Sequence, residues 1–197
     1  MTIISPGTKD GREAAVNLIM ESTEAYWLFV FSAKIAQVLS KLYSGPTTIF
    51  GRRFYSLIVA DNQIQGALLS FTLKDLHRTE WLLTILMFCF LGIKTALRHM
   101  KRIYYCTDRI GRFAPHEYYV SNIAIDEQSR HRGFGTRLMQ RAEEMARRAG
   151  LRKIVLDVET SKTAAIALYT KLGYKIERQI DIDLEERFSF YRMGKEL

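Results

Sequence analysis

The chain has few of the features that mark disordered, secreted or metal-binding proteins. It contains three prolines among 197 residues, and it shows no low-complexity stretch and no internal repeat. Its two cysteines, Cys89 and Cys106, have the spacing of neither a metal site nor a disulfide framework. No basic segment followed by a long apolar stretch opens the sequence, so we expect no signal peptide. Together these absences predict a folded protein of the reducing cytoplasm that holds no metal.

The longest uncharged stretch is too short to cross a membrane. It runs for thirteen residues, from Trp81 to Ile93, whereas about 20 apolar residues are needed to span a bilayer. Hydrophobic residues nevertheless make up 48% of the chain, with 11 Phe and 10 Tyr. That content is enough for a sizeable core. We therefore expect residues 1–197 to form a single domain without a membrane span.

Positive charge is concentrated in one segment of the chain. The whole chain has 29 Lys and Arg against 21 Asp and Glu, a formal net charge of +8. Between Glu127 and Lys153 there are eight Lys and Arg and three Asp and Glu, so 8 − 3 = +5 of that charge lies there. Such a local field favours an anionic partner: a nucleic acid, a membrane surface or a phosphorylated small molecule.

Hydrophobic periodicity and turn residues predict a mixture of helices and strands. The predicted helices are 9–21, 24–42, 81–105, 134–148 and 163–172. The predicted strands are 2–5, 53–60, 64–73, 117–126, 153–160, 174–182 and 187–197, with a hairpin turn at 61–63 and an antiparallel closing pair. This order indicates an α/β (α+β) domain in which helices flank one sheet.

A glycine-containing loop, SRHRGFGTR at residues 129–137, joins a predicted strand to a predicted helix. The first turn of a helix offers free N–H groups and the positive end of the helix dipole. Glycine lets a ligand approach the backbone, and arginine binds phosphate oxygens. The loop therefore suits a phosphate-bearing ligand, although a surface turn that opens a helix has the same pattern. It is neither a Walker A loop nor the three-glycine dinucleotide fingerprint.

Two motifs in sequence order give this loop a family context. The segment RHRGFG, from Arg130 to Gly135, follows SNIAID and opens a helix, and downstream VLDVET is followed by AAIALYTKLGY. This arrangement resembles the GCN5-related N-acetyltransferase (GNAT) family, which has the motif Arg/Gln-x-x-Gly-x-Gly/Ala at this position. The resemblance is strongest over residues 117–174. It implies a mixed, mostly antiparallel central sheet that is flanked by helices and splayed at the cofactor site.

The resemblance implies that acetyl-coenzyme A is the cosubstrate and that main-chain amides of the loop bind its pyrophosphate. The cofactor-site residues that it indicates are Ile123, Ala124, Ile125, Arg130, His131, Arg132, Gly133, Phe134, Gly135, Thr136 and Lys162. The first three lie on the strand that pairs with the pantetheine arm in the family. Lys162 departs from the family pattern, which often has asparagine there. A lysine accepts no hydrogen bond and would reach a phosphate or the solvent instead.

Acetyl transfer to an amine needs a base for the amine and an acid for the leaving thiolate. Tyr169 matches the position of the acid in the family, and a tyrosine with a pKa of about 10 is protonated at neutral pH. Asp157 precedes it by twelve residues, a spacing that resembles members which acetylate ribosomal protein N-termini, so Asp157 is the candidate base. Glu159 lies on the same strand face and is a second candidate. Glu117, Tyr119 and an ordered water stay open, as does a purely structural role for these side chains.

An apolar helical insertion is expected at about 76–112, where it would lie beside the family's acceptor site. Three arrangements fit the sequence: a helix buried against the sheet or in a homodimer contact, a wall of an apolar acceptor pocket, and a membrane-surface helix assisted by KTALRHMKR. The apolar residues of 81–93 do not form one clean stripe, which argues against the membrane surface.

The sequence thus predicts a cytoplasmic, acetyl-CoA-dependent N-acetyltransferase that acts on a primary amine of a small molecule or a protein. A non-catalytic acyl-CoA-binding regulatory module with the same fold is the alternative, because Lys162 and the unsettled base leave room for it. Nucleic-acid binding by the arginine-rich helix is disfavoured, since interleaved aromatic residues and a recognised binding motif are absent.

Overall fold

A seven-stranded sheet with helices on both faces makes up the computed structural model. The described residues are 2–4, 11–31, 35–45, 47–110 and 113–197. The strands are β1 (Thr2–Ile4), β2 (Tyr55–Ala60), β3 (Gln63–Thr72), β4 (Glu117–Ile125), β5 (Lys153–Glu159), β6 (Lys175–Asp183) and β7 (Arg187–Glu196). The helices are α1 (Arg12–Ser22), α2 (Glu24–Phe31), α3 (Ile35–Ser44), α4 (Leu73–Leu91), α5 (Ile93–Ile110), α6 (Phe134–Arg148) and α7 (Thr163–Lys171).

Three parts of the predicted elements lie outside the described residues. They are the end of the first predicted strand with the start of the first predicted helix, the middle of the predicted helix 24–42 at residues 32–34, and the end of the apolar insertion at 111–112. On either side of residues 32–34 the predicted helix is described as α2 and α3.

The sheet has one parallel contact, between β4 and β5. Its strand order is β1-β2-β3-β4-β5-β7-β6, and the other neighbouring pairs are antiparallel. The parallel ladder has four residue pairs, from Glu117↔Lys153 to Val120↔Leu156. Beyond it β4 continues along β3 to Ile125, and β5 continues along β7 to Glu159. The two strands therefore separate at one end, which confirms the predicted mixed, mostly antiparallel and splayed sheet.

Alternation along the strands divides the apolar core between the two faces of the sheet. Leu57 and Leu69 belong to a core with α1, α2 and α3. Their neighbours Ile58 and Leu68 point the other way, into a core with α6 and α7. All four side chains are at most 2% exposed. Each aliphatic side chain buried in this way stabilises the fold by about 1.5–3 kcal/mol.

The predicted hairpin is confirmed between β2 and β3. Its two-residue turn consists of Asp61 and Asn62, whose φ angles are +53° and +58°. Left-handed backbone at both positions matches the right-handed twist of the flanking strands, and short Asp and Asn side chains tolerate it. The turn thereby fixes the register of β3, the strand that supports β4.

The predicted long apolar helix is two helices, and the first begins earlier than expected. Thr72 and Asp75 cap the start of α4 reciprocally: the Asp75 amide donates to the Thr72 hydroxyl at 3.1 Å, and the Thr72 amide donates to the Asp75 carboxylate at 3.1 Å. Such a cap stabilises a helix by about 1 kcal/mol. The break at Gly92, with φ +76°, separates α4 from α5 because an ordinary residue resists that conformation.

One side of α5 packs on α2 and on the outer strands of the sheet. A third apolar cluster there combines Phe29 of α2, Cys106 of α5 and Ile180 of β6. Polar contacts reinforce it: the His99 Nδ1 atom lies 2.7 Å from the Val30 carbonyl oxygen. Helix α5 is thus partly buried against α2 and the outer strands, while the role of the segment 76–112 as an insertion stays a prediction. None of the helices within the described ranges has the length and apolar character needed to cross a membrane.

Candidate active site

A cleft of about 800 Å³ opens where β4 and β5 separate. It is lined by residues 120–125 of β4, by residues 156–159 of β5, by α7, by the loop that enters α6, and by the end of α1 with Thr23. The cleft therefore joins features that the sequence predicts separately: the splayed strand, the glycine loop and the helix of Tyr169.

The loop between β4 and α6 is held by the neighbouring strand β3. The Asp126 amide donates to the Gln65 carbonyl oxygen at 2.9 Å, and the Ser129 hydroxyl donates to the Gln65 side chain at 2.5 Å. The Gln65 and Ser129 side chains are both buried. Because an unpaired buried polar group costs about 1–3 kcal/mol, this pairing fixes the loop to the sheet.

The first turn of α6 presents main-chain N–H groups at the cleft. The helix begins at Phe134, and the first four N–H groups of a helix have no partner within it. Just before it, His131 and Gly133 have left-handed φ angles of +62° and +79°. Turns with left-handed residues make concavities of N–H groups that bind anions, and the positive end of the helix adds to this attraction. The arrangement suits the phosphate ligand that the sequence predicts.

The two glycines of the loop meet different requirements. Gly133 is left-handed, and beyond its own atoms and its two chain neighbours no atom of the described residues lies within 4 Å of the place that a Cβ would take, so its requirement is conformational. At Gly135 a Cβ would lie 2.9 Å from the Leu168 side chain of α7. The second glycine therefore allows α6 and α7 to approach each other, a reason for it that the sequence does not reveal.

The basic side chains of the loop divide between the cleft and the surface. Arg130 lines the cleft and is exposed, with its guanidinium 3.7 Å from the Glu127 carboxylate. Arg132 is absent from the cleft lining; it lies 3.9 Å from the Asp61 carboxylate, with its guanidinium over the Phe134 ring. Lys162 precedes α7 and lines the cleft. The other predicted cofactor residues, Ile123, Ala124, Ile125, His131, Gly133, Phe134, Gly135 and Thr136, all line it.

Tyr169 lies on α7, in the core between α7 and the sheet, and lines the same cleft. Its ring is 5% exposed and packs 6.0 Å from the Tyr174 ring. Burial raises the pKa of Tyr169 well above that of a free tyrosine. The hydroxyl therefore keeps its proton at neutral pH, which is the state that an acid needs.

Asp157 also lines the cleft, but its carboxylate has two partners. Arg192 of β7 donates to it through Nε at 2.5 Å and Nη2 at 2.9 Å, and the Tyr119 hydroxyl donates to it at 3.0 Å. The side chains of the ion pair are 6% and 5% exposed. Burial, and then the Asp157 charge, raise the pKa of Tyr119 well above 10, so Tyr119 acts as a donor here.

The other candidate carboxylates lie at opposite ends of the parallel ladder. Glu159 is half-buried, lines the cleft, and accepts a long hydrogen bond of 3.5 Å from Ser161. Glu117 lies at the closed end of the ladder, 2.8 Å from the Lys153 ammonium. Burial favours a higher pKa for Glu117, but hydrogen bonds from Lys153 and from the Ala114 amide lower it overall. Glu117 therefore pins the closed end and is separate from the cleft.

Several residues of this region escape sequence reasoning. Arg192 is one, although it occupies an inward position of β7 next to the apolar Phe190, and a charge at such a position is a signal of a buried pair. Glu21 and Ser22 at the end of α1 also line the cleft, and Ser22 accepts a hydrogen bond from the Asn122 side chain of β4 at 2.8 Å. No motif marks them, because only the fold brings α1 to the splayed strand.

Comparison with known proteins agrees with this geometry. The model of the acetyltransferase (GNAT) family matches residues 92–174. Over 67 residues the chain is 39% identical to the N-alpha-acetyltransferase RimI of Mycobacterium tuberculosis. The aligned segment covers 34% of this chain and 40% of that protein. The matches span less than half the length of the curated relatives.

Solved structures share the fold over nearly the whole chain. A crystal structure of an acetyltransferase aligns with a TM-score of 0.68 and 20% identity, covering 100% of this chain and 99% of the other. A Bacillus subtilis acetyltransferase in complex with CoA aligns with a TM-score of 0.55 and 15% identity, covering 100% and 97%. The GNAT-like fold and the resemblance carried by the two motifs are thus confirmed.

Proposed function

We propose that the protein is a member of the acetyltransferase (GNAT) family, whose model matches residues 92–174, and that it transfers an acetyl group from acetyl-coenzyme A to a primary amine. The observation that carries the proposal is the single cleft that joins the N-terminus of α6 to the Tyr169 side chain across the splayed strands. An anion site and a protonated acid in one cleft are what thioester-dependent acyl transfer requires.

The residues of the cleft fit the chemistry of coenzyme A. Amides of residues 131–136, with the Arg130 and Lys162 side chains, would hold the phosphates, and the edge of β4 at residues 123–125 would pair with the pantetheine amides. Bound acetyl-CoA would supply an acyl thioester. The Arg132 guanidinium lies 3.9 Å from the Asp61 carboxylate, and it would have to leave this ion pair to contact the phosphates.

Two side chains are proposed to handle protons. Tyr169 is proposed to donate the proton on Oη to the leaving thiolate; burial raises its pKa, so the hydroxyl is protonated when the thiolate leaves. Asp157 is the proposed base for the amine and Glu159 the second candidate. The two carboxylates have different surroundings: Asp157 is hydrogen-bonded to Arg192 and Tyr119, whereas Glu159 is half-buried in the cleft. The pH–rate profiles of variants of the two residues should therefore be compared. Loss of the acidic limb of the pH–rate profile in Glu159→Gln alone would assign the base to Glu159.

The acceptor is proposed to be a primary amine of a small molecule or of a protein. The relative from Mycobacterium tuberculosis is named as an N-alpha-acetyltransferase, which makes a peptide N-terminus the first acceptor to test. The alternative, a non-catalytic acyl-CoA-binding module, is not favoured, because the family model and the relative that the chain matches are those of acetyltransferases. A cytoplasmic location and a homodimer stay predictions.

Acetyl-CoA is expected to stabilise the protein against heat. A ligand at about 100 times its Kd adds about 2.7 kcal/mol of stability if it binds only the folded state. For a chain of this size that raises Tm by about 5–10 °C. Differential scanning fluorimetry measures the shift, and pantetheine, which lacks the pyrophosphate, should give a much smaller one. An unchanged Tm with acetyl-CoA would refute the cofactor assignment.

Gly133→Ala is expected to weaken coenzyme A binding about tenfold, because a methyl group would stand at the mouth of the amide cradle and keep the phosphate from the main-chain amides. Gly150→Ala is a matched control. Gly150 lies just beyond the other end of α6 and is also left-handed, with φ +72°. Beyond its own atoms and its two chain neighbours, it also has no described atom within 4 Å of the place that a Cβ would take. Both variants should lose similar stability in urea, but only Gly133→Ala should raise the Kd in calorimetry. Equal Kd values in the two variants would contradict a ligand role for Gly133.

A further inference from the structure

The solvent side of α5 carries an apolar stripe. Ile93, Leu97 and Tyr104 recur at helical spacing on one face of the helix, and their exposed fractions are 70%, 56% and 77%. The stripe begins where α5 begins, just after Gly92, and it is therefore invisible when residues 81–93 are taken as one helix. On α4, which precedes it, Trp81 is also exposed, at 63%. Large apolar side chains in such a row mark an interaction surface.

A row of positive charge runs beside this stripe. Lys94, Arg98 and Lys101 follow one another at helical spacing on α5, and all three are exposed. In the part of the chain that the structure describes, no acidic side chain pairs with any of them. Arg102, one position further, points to the other side and pairs with Glu185. The three charges therefore face outward, next to the apolar stripe.

The opposite side of α5 is committed to the fold. Ala96, His99 and Cys106 are at most 3% exposed, and His99 contacts the Val30 carbonyl of α2. The Arg102 guanidinium donates to the Phe29 carbonyl at 2.7 Å. These contacts hold the inner side of α5 against the rest of the fold. The helix therefore cannot rotate about its axis to bury the apolar stripe. The exposed face is a lasting property of the folded protein.

We propose that this face of α5 docks on membranes that contain anionic lipids. An interfacial helix needs an apolar side that enters the acyl boundary, aromatic residues at the level of the headgroups and basic residues that attract anionic lipids. The stripe, with Tyr104, and the basic row provide these three features on one helix. Residues of α4 such as Trp81 are not needed for the docking that we propose.

A lipid surface fits this face better than a second copy of the chain does. A two-fold symmetric contact brings the same face of both copies together, so the two basic rows would meet in a protein whose net charge is already +8. A nucleic acid would neutralise the basic row but would leave the apolar stripe exposed to water. Of these three partners, an anionic lipid surface is the one that satisfies both halves of the face.

Vesicle flotation tests the proposal with the full chain. The protein is expected to float with phosphatidylcholine vesicles that contain phosphatidylglycerol, and to stay behind with phosphatidylcholine alone. Replacing Lys94, Arg98 and Lys101 together by glutamine should lower the partition coefficient about 100-fold, since each cation contributes about a factor of five at an anionic surface. The matched control replaces the exposed Arg147, Arg148 and Arg152 by glutamine, an equal change of charge beside the C-terminal end of α6.

The apolar half of the face is tested separately. Ile93→Ser with Leu97→Ser should also abolish flotation while leaving Tm and circular dichroism unchanged, because both side chains are exposed. A Tyr104→Trp variant in a Trp81→Phe background should show a blue shift of its emission on adding anionic vesicles. Flotation that survives in the basic-row variant, equal loss in the control variant, or a dimer that is broken by Leu97→Ser would each overturn the proposal.

Discussion

Tyr169→Phe is expected to lower kcat for acetyl transfer by about 100-fold or more while the Kd for acetyl-CoA changes less than about twofold. The substitution removes the proton donor and keeps the ring, which is 5% exposed and packs against Tyr174. The cradle at the N-terminus of α6 is left intact. Steady-state rates with a panel of amines, combined with calorimetric binding of the cofactor, separate the two effects.

The neighbouring tyrosine offers a matched control. Tyr174 is also buried, and its hydroxyl donates to the Glu143 carboxylate at 3.3 Å, away from the cleft lining. Tyr174→Phe should therefore change stability and leave kcat within about threefold, because a lost hydrogen bond of this kind costs about 1–3 kcal/mol in folding alone. If both variants kept full turnover, Tyr169 would have no role as the acid.

The pH dependence follows from the direction of the shift. Burial raises the pKa of Tyr169, so its proton is retained throughout the neutral and mildly alkaline range. The wild-type rate should show no alkaline decline from this group below about pH 10, and any acidic limb reports the base. The Tyr169→Phe variant should keep the same acidic limb at a lower rate.

Arg192→Met is expected to destabilise the protein by about 3–5 kcal/mol, because it leaves the Asp157 carboxylate buried without its cation. Both side chains of this ion pair are at most 6% exposed. Replacing the whole cluster, as in Asp157→Leu with Arg192→Met and Tyr119→Phe, should recover most of the loss, since apolar side chains of similar size leave no buried polar group of the cluster unpaired. Urea unfolding of the two variants and of the wild type measures the difference.

A second ion pair of β7 serves as the control. Arg187 lies 3.2 Å from the Asp183 carboxylate, and these side chains are 85% and 65% exposed. Arg187→Met should cost no more than about 1 kcal/mol, because water screens an exposed pair. A similar cost for both arginines would mean that the Asp157 pair is solvated in solution, and Asp157 would then be freer to serve as a base than the structure indicates.

The features that the sequence predicts well are those with local causes. The bounds of α6 follow from an amphipathic period bounded by glycine, and the β2–β3 hairpin follows from Asp61 and Asn62. The phosphate-binding loop can be predicted from the sequence because it consists of main-chain N–H groups at the start of a helix. Resemblance alone points to Tyr169, and the structure puts it in the cleft with that cradle.

The features that the sequence does not predict depend on distant partners. The partnership of Asp157 with Arg192 joins residues that are 35 positions apart, and no local pattern records it. The packing reason for Gly135 lies in Leu168 of another helix. The break at Gly92 is local, but a single glycine inside an apolar run carries too weak a signal against the strong helical period around it.

The short parallel ladder has a mechanical consequence. Residues 2–125 supply one half of the sheet, β1 to β4, and residues 153–196 supply the other, β5 to β7, so each half is continuous in the chain. Four residue pairs, the Glu117–Lys153 contact and the Tyr119–Asp157 hydrogen bond join the two halves of the sheet, and this ladder is shorter than the ladders on either side of it. A long ligand bound between the splayed strands would contact both halves of the sheet and hold them together. Binding of the substrate would then raise the free energy that is needed to separate the two halves of the sheet.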